Sequence, residues 1–180
     1  MPRLSPLLVL PFGGVHPRFA DEPDQTGAGA AVLGRVTIGR RARLGPHAVI
    51  RADGDYVEIG DDFRLGAHST VHIAHEIYPT LIGDRVSVGV NACVHACTVG
   101  NDVIVGDGAV ILDGSIVEDE VILEAGTFAF PRARLQRGQI YAGAPAKPVR
   151  AIVPAEIEQR REKMLREASA ADREAATRAT

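Results

Sequence analysis

Residues 36–51 read VTIGRRARLGPHAVIR, and a six-residue ruler laid along them puts Ile38, Leu44 and Ile50 in register. The ruler resumes at Ile59, Leu65 and Val71, then at Ile82, Val88 and Val94. It continues through Val99, Val105 and Ile111 and, more loosely, Val117 and Leu123. The residue after each aliphatic is usually glycine, as at Gly39, Gly45, Gly60, Gly66, Gly83 and Gly89. The residue two before is small or β-branched, as at Ala42, Val57, Ser69, Thr80, Val86 and Ala92. A fixed period this short is the signature of a solenoid. It fits neither a helical period nor simple strand alternation, and a β-sandwich would instead place turns about every 8–12 residues. Three hexads make one triangular coil of about eighteen residues. Coils then stack at about 4.8 Å, so equivalent side chains form ladders. The glycine after each aliphatic is expected to supply the corner conformation.

The same ruler finds the interruptions. The step from Ile50 to Ile59 is nine, so RADGDY (51–56) carries three extra residues. The step from Val71 to Ile82 is eleven, making AHEIYPT (74–80) a five-residue excursion, and the step from Val94 to Val99 is five. Insertions in a solenoid are extruded on one side, often the functional one. With these breaks the residues just past the third corner of successive coils are Arg51, His72, His95 and Leu112. His72 and His95 are therefore predicted to stand one rung apart, about 5 Å, close enough for two imidazoles to chelate one metal ion.

Composition sets limits. The chain has 180 residues and a net charge of −3, which implies no nucleic-acid partner and no acidic membrane surface. Aromatics are 4% and tryptophan is absent, as suits a narrow core of small side chains. Cys93 and Cys97 sit inside the repeat and read as small buried hydrophobes, not as a disulfide. The apolar run at Leu7–Leu10 is too short for a signal-peptide core or a membrane span, so the expected location is cytoplasmic. The expected organisation is an extended lead-in over 1–30, a β-helix over 31–130, an irregular connection over 131–153, and a C-terminal helix over 154–180 with a frayed end. In that helix Ile157, Met164, Leu165 and Ala168 form one apolar stripe. Glu156–Arg160 and Glu162–Arg166 are favourable i,i+4 pairs.

From about Leu8 to Ile152 the chain resembles the gamma-class carbonic anhydrases, a family of left-handed parallel β-helices. The residues that carry the resemblance are VIRAD (49–53), TVHI (70–73), YPTLIGDRVSVG (78–89), CVHACTVGNDVIVG (93–106), GAVILDGSIVEDEVILEAG (108–126) and YAGAPAKPVR (141–150). The last is shared with hexapeptide acyltransferases. The resemblance implies a homotrimer with zinc held at subunit interfaces by three histidines, two from one subunit and one from the next. His72 and His95 match two of those ligands, and Arg51 and Asp53 match the family's Arg-x-Asp pair, whose implied role is a structural salt bridge near the interface.

The third ligand does not transfer. The family pattern has Gly-His where this chain has Gly89-Val90, and Val90 cannot bind a metal. The glutamine and aspartate that the family places near the bound water are here Gly66 and Ala67. Three departures at one site imply that zinc is bound weakly or not at all and that CO2 hydration is weak or lost, leaving a binding or assembly role. No catalytic residue can be assigned on this reading, and no small-molecule ligand is readable. A remodelled but active metalloenzyme is the alternative, with His75 or His68 as replacement ligand and His72-x-x-His75 a workable chelating spacing. A third reading is a hexapeptide-type acyltransferase, for which His75 is the sole candidate. His16 and His47 read as surface residues without a role.

Overall fold

The computed structural model describes residues 7–75 and 77–178, with side chains to residue 168. It is a left-handed parallel β-helix of about 7 turns followed by one helix. The three ladders form as the hexads dictate. Ile38, Ile59, Ile82, Val99 and Val117 stack along one face. Leu44, Leu65, Val88 and Val105 stack along the second. Ile50, Val71, Val94 and Ile111 stack along the third. All are buried, as are the small residues two places earlier. Where such a residue is polar it bonds to the neighbouring coil. Ser69 Oγ donates to the Gly89 carbonyl at 2.7 Å and accepts from Ala92 N at 2.9 Å.

The ladders run past both ends of the 31–130 span. Phe19 pairs with Ile38 and Thr26 with Leu44, so part of the expected lead-in is a first coil. Its steps are uneven, the inward residues are Phe19 and Thr26 rather than Ile, Leu or Val, and Ala20 rather than glycine follows Phe19, which hides it from the ruler. Beyond Leu123 the step of six persists through Ala129, Leu135 and Tyr141, each paired to the coil below. There the followers are Phe130, Gln136 and Ala142, so only the glycine signal is lost. The expected irregular connection also holds an antiparallel pairing of Gln139–Ala142 with Lys147–Ala151.

Glycine after the aliphatic serves close approach rather than corner conformation. The left-handed residue lies two places further on: Arg41, His47, Asp62, His68, Arg85 and Asn91 have φ between 53° and 57°. A Cβ on Gly66 would lie 2.1 Å from the Gly89 carbonyl oxygen, and one on Gly89 would lie 2.2 Å from Asp107 Oδ1. Carboxylate and carboxamide oxygens fill that space. Asp61, Asp84, Asn101 and Asp119 each accept the backbone N–H of the coil below, at 2.7–2.8 Å.

RADGDY is not extruded as a separate loop. It lies within one strand, Val49–Ile59, as a bulge opposite the Gly34–Val36 stretch. AHEIYPT does form a tight excursion, closed by a bridge from Ala74 to Tyr78.

The helix, Glu156–Arg178, lies over the second face. Its Ile157 and Met164 pack with Ile152 on the outward-facing Ile104, Ile122 and Ile140. The frayed end expected beyond Ser169 falls outside the residues whose side chains are described. None of the described helices is long and apolar enough to cross a membrane.

Charged pairs fasten the helix. Glu156 accepts two bonds from Arg150, both 2.9 Å, and two from Arg160, at 2.9 and 3.3 Å. Arg160 also holds Glu124 at 2.8 Å, and Arg161 holds Asp102 at 3.0 Å. Arg150, helped by Arg160 and the Val153 N–H against the upward push of burial, holds the Glu156 carboxyl at about 2, below its ordinary 4.5. A depressed carboxylate stabilises the fold above its unfolded pKa and loses that contribution as pH falls through the folded value. Stability is therefore expected to decline between about 4.5 and 2. Glu156→Gln is expected to lower the urea midpoint above that window and to flatten the decline within it. Urea titrations above and below the window test this; identical pH dependence in variant and wild type would refute it.

Candidate metal centre

His72 and His95 each follow a third-ladder valine, so strand alternation turns both side chains outward. They are in register as neighbouring rungs, with ring centroids 5.1 Å apart and planes at 53°. Each imidazole has a carboxylate partner. His72 Nε2 donates to Asp53 Oδ1 at 2.8 Å, and Arg51 donates to the other oxygen of the same carboxylate from Nε at 2.7 Å and from Nη2. Burial pushes the Asp53 carboxyl upward, but the bonds from Arg51 and His72 outweigh it and hold Asp53 at about 2. Asp53 is thus an anion that can only accept, and Nε2 of His72 carries the proton between them. His95 is held the other way round: Nδ1 donates to Asp113 Oδ1 at 2.6 Å. That fixes the tautomer that presents Nε2 as a lone pair, the usual arrangement of a metal-ligating histidine.

Val90 sits on the corner between the second and third faces, 37% exposed, with its N–H donating to Asp107 Oδ1 at 2.9 Å. Its side chain offers no donor. The ring of His75 lies on the backbone of Gly54, the residue after Asp53, so close that a Cβ there would meet Nδ1 at 2.1 Å. His68 faces a different group: its ring stacks on His47, centroids 5.0 Å apart. Among the described residues, no group of three or more His, Cys, Asp or Glu side chains is placed to hold a metal ion. Catalytic zinc usually takes three protein ligands. The donors one chain brings together do not fit it.

Two residues of this site escape the hexad reading. Asp113 falls one place after Leu112, which the register puts over His95; the column position was the available signal. Tyr78 folds back from the excursion so that its ring covers Gly114, where a Cβ would lie 3.3 Å from Cζ. Nothing in the local sequence marks that contact.

The face that carries both histidines is apolar on its outside. Leu8, Ala31 and Val49 share one outward column, which continues through Thr70, Cys93, Val110 and Phe128. Leu8, Leu10, Phe12 and Phe130 remain 37–52% exposed. Both cysteines are free thiols, Cys97 buried and Cys93 half-buried on this outer face.

A hexapeptide-repeat β-helix with paired imidazoles at one corner defines a class, and comparison places the chain within it. No family model matches. The chain is 35% identical over 138 residues to a probable carbonic anhydrase of Methanocaldococcus jannaschii, covering 77% of this chain and 86% of that one. It is 36% identical over 133 residues to gamma carbonic anhydrase 2, mitochondrial, of Arabidopsis thaliana. That match covers 71% of this chain but 48% of the plant protein, so the chain spans about half the length of that relative. Among solved structures, a hexapeptide transferase family protein of Anaplasma phagocytophilum superposes with a TM-score of 0.80 at 29% identity, covering 90% of this chain and 95% of that one. The chain belongs to the gamma carbonic anhydrase-like family of hexapeptide-repeat proteins.

Proposed function

We propose that this chain is a cytoplasmic, homotrimeric, gamma-carbonic-anhydrase-like protein whose zinc centre has two of three imidazoles, binds zinc weakly, and has given up CO2 hydration for a binding or assembly role. The observation that carries this reading is the donor set. His95 is oriented as a ligand, the proton on His72 Nε2 is committed to Asp53, and the remaining ligand position is Val90. Water bound to such a centre would also lack its orienting partner, because position 66 is glycine. Trimerisation is supported by the third face. The helix covers the outward isoleucines of the second face, whereas the third leaves leucines and phenylalanines in solvent. Exposed apolar area of this kind is what subunit contact removes.

Two measurements test the reading. Light scattering is expected to give three chains per particle, and Leu33→Asp, on the apolar face, is expected to shift it toward monomer. Stopped-flow CO2 hydration by zinc-supplemented protein is expected to stay at the buffer rate. A stable wild-type monomer would refute the assembly, and rapid hydration would refute the loss of turnover. One observation favours an active alternative: His75 lies beside the Asp53 segment and brings another imidazole to this side of the molecule. If hydration is found, His75→Ala is expected to abolish it and release the metal.

A further inference from the structure

The stack of His47 on His68 lies outside the site above. Both side chains are exposed and stand on the corner between the second and third faces, on consecutive coils. The two rings are nearly parallel, 20° apart, with centroids 5.0 Å apart. Backbone bonds fix their spacing: His47 N donates to the Ala28 carbonyl and His68 N to the Pro46 carbonyl, both at 2.9 Å. The ring of His47 rests on Gly29, where a Cβ would lie 2.5 Å from Nδ1, so glycine leaves the imidazole its place.

These positions do not call for histidine on backbone grounds. Each lies in the left-handed region, at φ 54° and 57°. Further along the same corner the equivalent positions hold Asn91, Gly108 and Gly126, at φ 53°, 65° and 69°. Glycine adopts that conformation most freely, and among other residues asparagine and histidine are both enriched there, so the backbone permits histidine without requiring it. Two consecutive imidazoles therefore occupy turn positions that smaller residues fill further along the same corner. Bonds of about 2.0–2.1 Å from a metal to each ring require ring nitrogens roughly 3–4 Å apart. The stacked rings, 5.0 Å apart, would have to rotate about their side-chain bonds to converge on that separation.

We propose that His47 and His68 form a second divalent transition-metal site, independent of His72 and His95, that clips the first coils of the solenoid together. Imidazole is a favoured ligand of nickel and copper, whose remaining positions water can fill, and affinity rises from nickel to copper. Binding to the folded chain alone also raises stability by mass action.

Nickel titration calorimetry on the full chain tests the proposal, with Ni2+ as the probe. The variants are His47→Asn and His68→Asn, since Asn91 shows that asparagine adopts this turn. Wild type is expected to bind one Ni2+ per chain at this corner and to gain several degrees in thermal midpoint. Either asparagine variant is expected to lose at least tenfold in affinity and most of the thermal gain, with its metal-free midpoint near wild type. His72→Ala with His95→Ala is expected to leave this binding step within twofold. Absence of Ni2+ binding, or binding unaffected by the asparagine variants, would overturn the proposal. So would binding lost only with His72 and His95, which would leave the reading of the metal centre standing.

Discussion

Val90→His is expected to raise zinc affinity by orders of magnitude, since a third imidazole completes the usual ligand set. The site tolerates the change: Val90 is exposed, lies outside the left-handed region, and is anchored through its backbone N–H to Asp107. His95 already presents the correct tautomer, and zinc must displace only the proton that His72 shares with Asp53. Competition against a chromophoric chelator measures the gain, and an unchanged affinity would refute the assignment of position 90. Hydration is expected to remain low in this variant. Sequence comparison suggests restoring the orienting glutamine through Gly66→Gln. The structure blocks that route, because a Cβ at 66 would sit 2.1 Å from the Gly89 carbonyl oxygen. The coils would have to part before the glutamine could reach water. Gly66→Gln is therefore expected to destabilise the fold rather than rescue turnover.

Val88→Asp is expected to lower stability by several kcal/mol. Val88 is fully buried between Leu65 and Val105, and an aspartate there has no partner to offset its lost hydration. The ladder position makes the effect severe, because each coil is supported only by its neighbours and Val88 lies mid-stack. Val88→Ala removes two methyl groups without adding charge and is expected to cost roughly 1–2 kcal/mol. Urea unfolding of the two variants separates packing from charge. An aspartate no more damaging than alanine would mean that position 88 is not inward.

The core was legible because a hexad repeats one physical problem. Each aliphatic at the corner must point inward and each small residue before it must fit beneath. Ile38 through Ile111 therefore fall on their ladders from sequence alone. The cost of that simplicity shows at the ends, where Phe19 and Leu135 lack the glycine that marks the repeat. The stacking of His72 on His95 followed from counting interruptions correctly. Their carboxylate partners did not follow equally. Asp53 was visible two residues from Arg51, but Asp113 reaches His95 from the coil above, a contact 18 residues distant in sequence. The His47–His68 stack was also within reach, since both lie three places after second-ladder leucines. It was obscured because His47 read as a surface residue and His68 as a candidate ligand for the other site. The role of glycine was misjudged for a related reason: a sequence shows a residue's own backbone freedom but not the neighbouring coil pressed against its Cα.

Zinc retained per chain is the most direct test of the two-imidazole centre. The protein is loaded with zinc, dialysed exhaustively and assayed by elemental analysis, with His47→Asn and His68→Asn present so that the corner pair cannot contribute. The account predicts well under one zinc per chain, rising to one when Val90→His is added. One zinc per chain with valine at position 90, released by His72→Ala or His95→Ala, would contradict it.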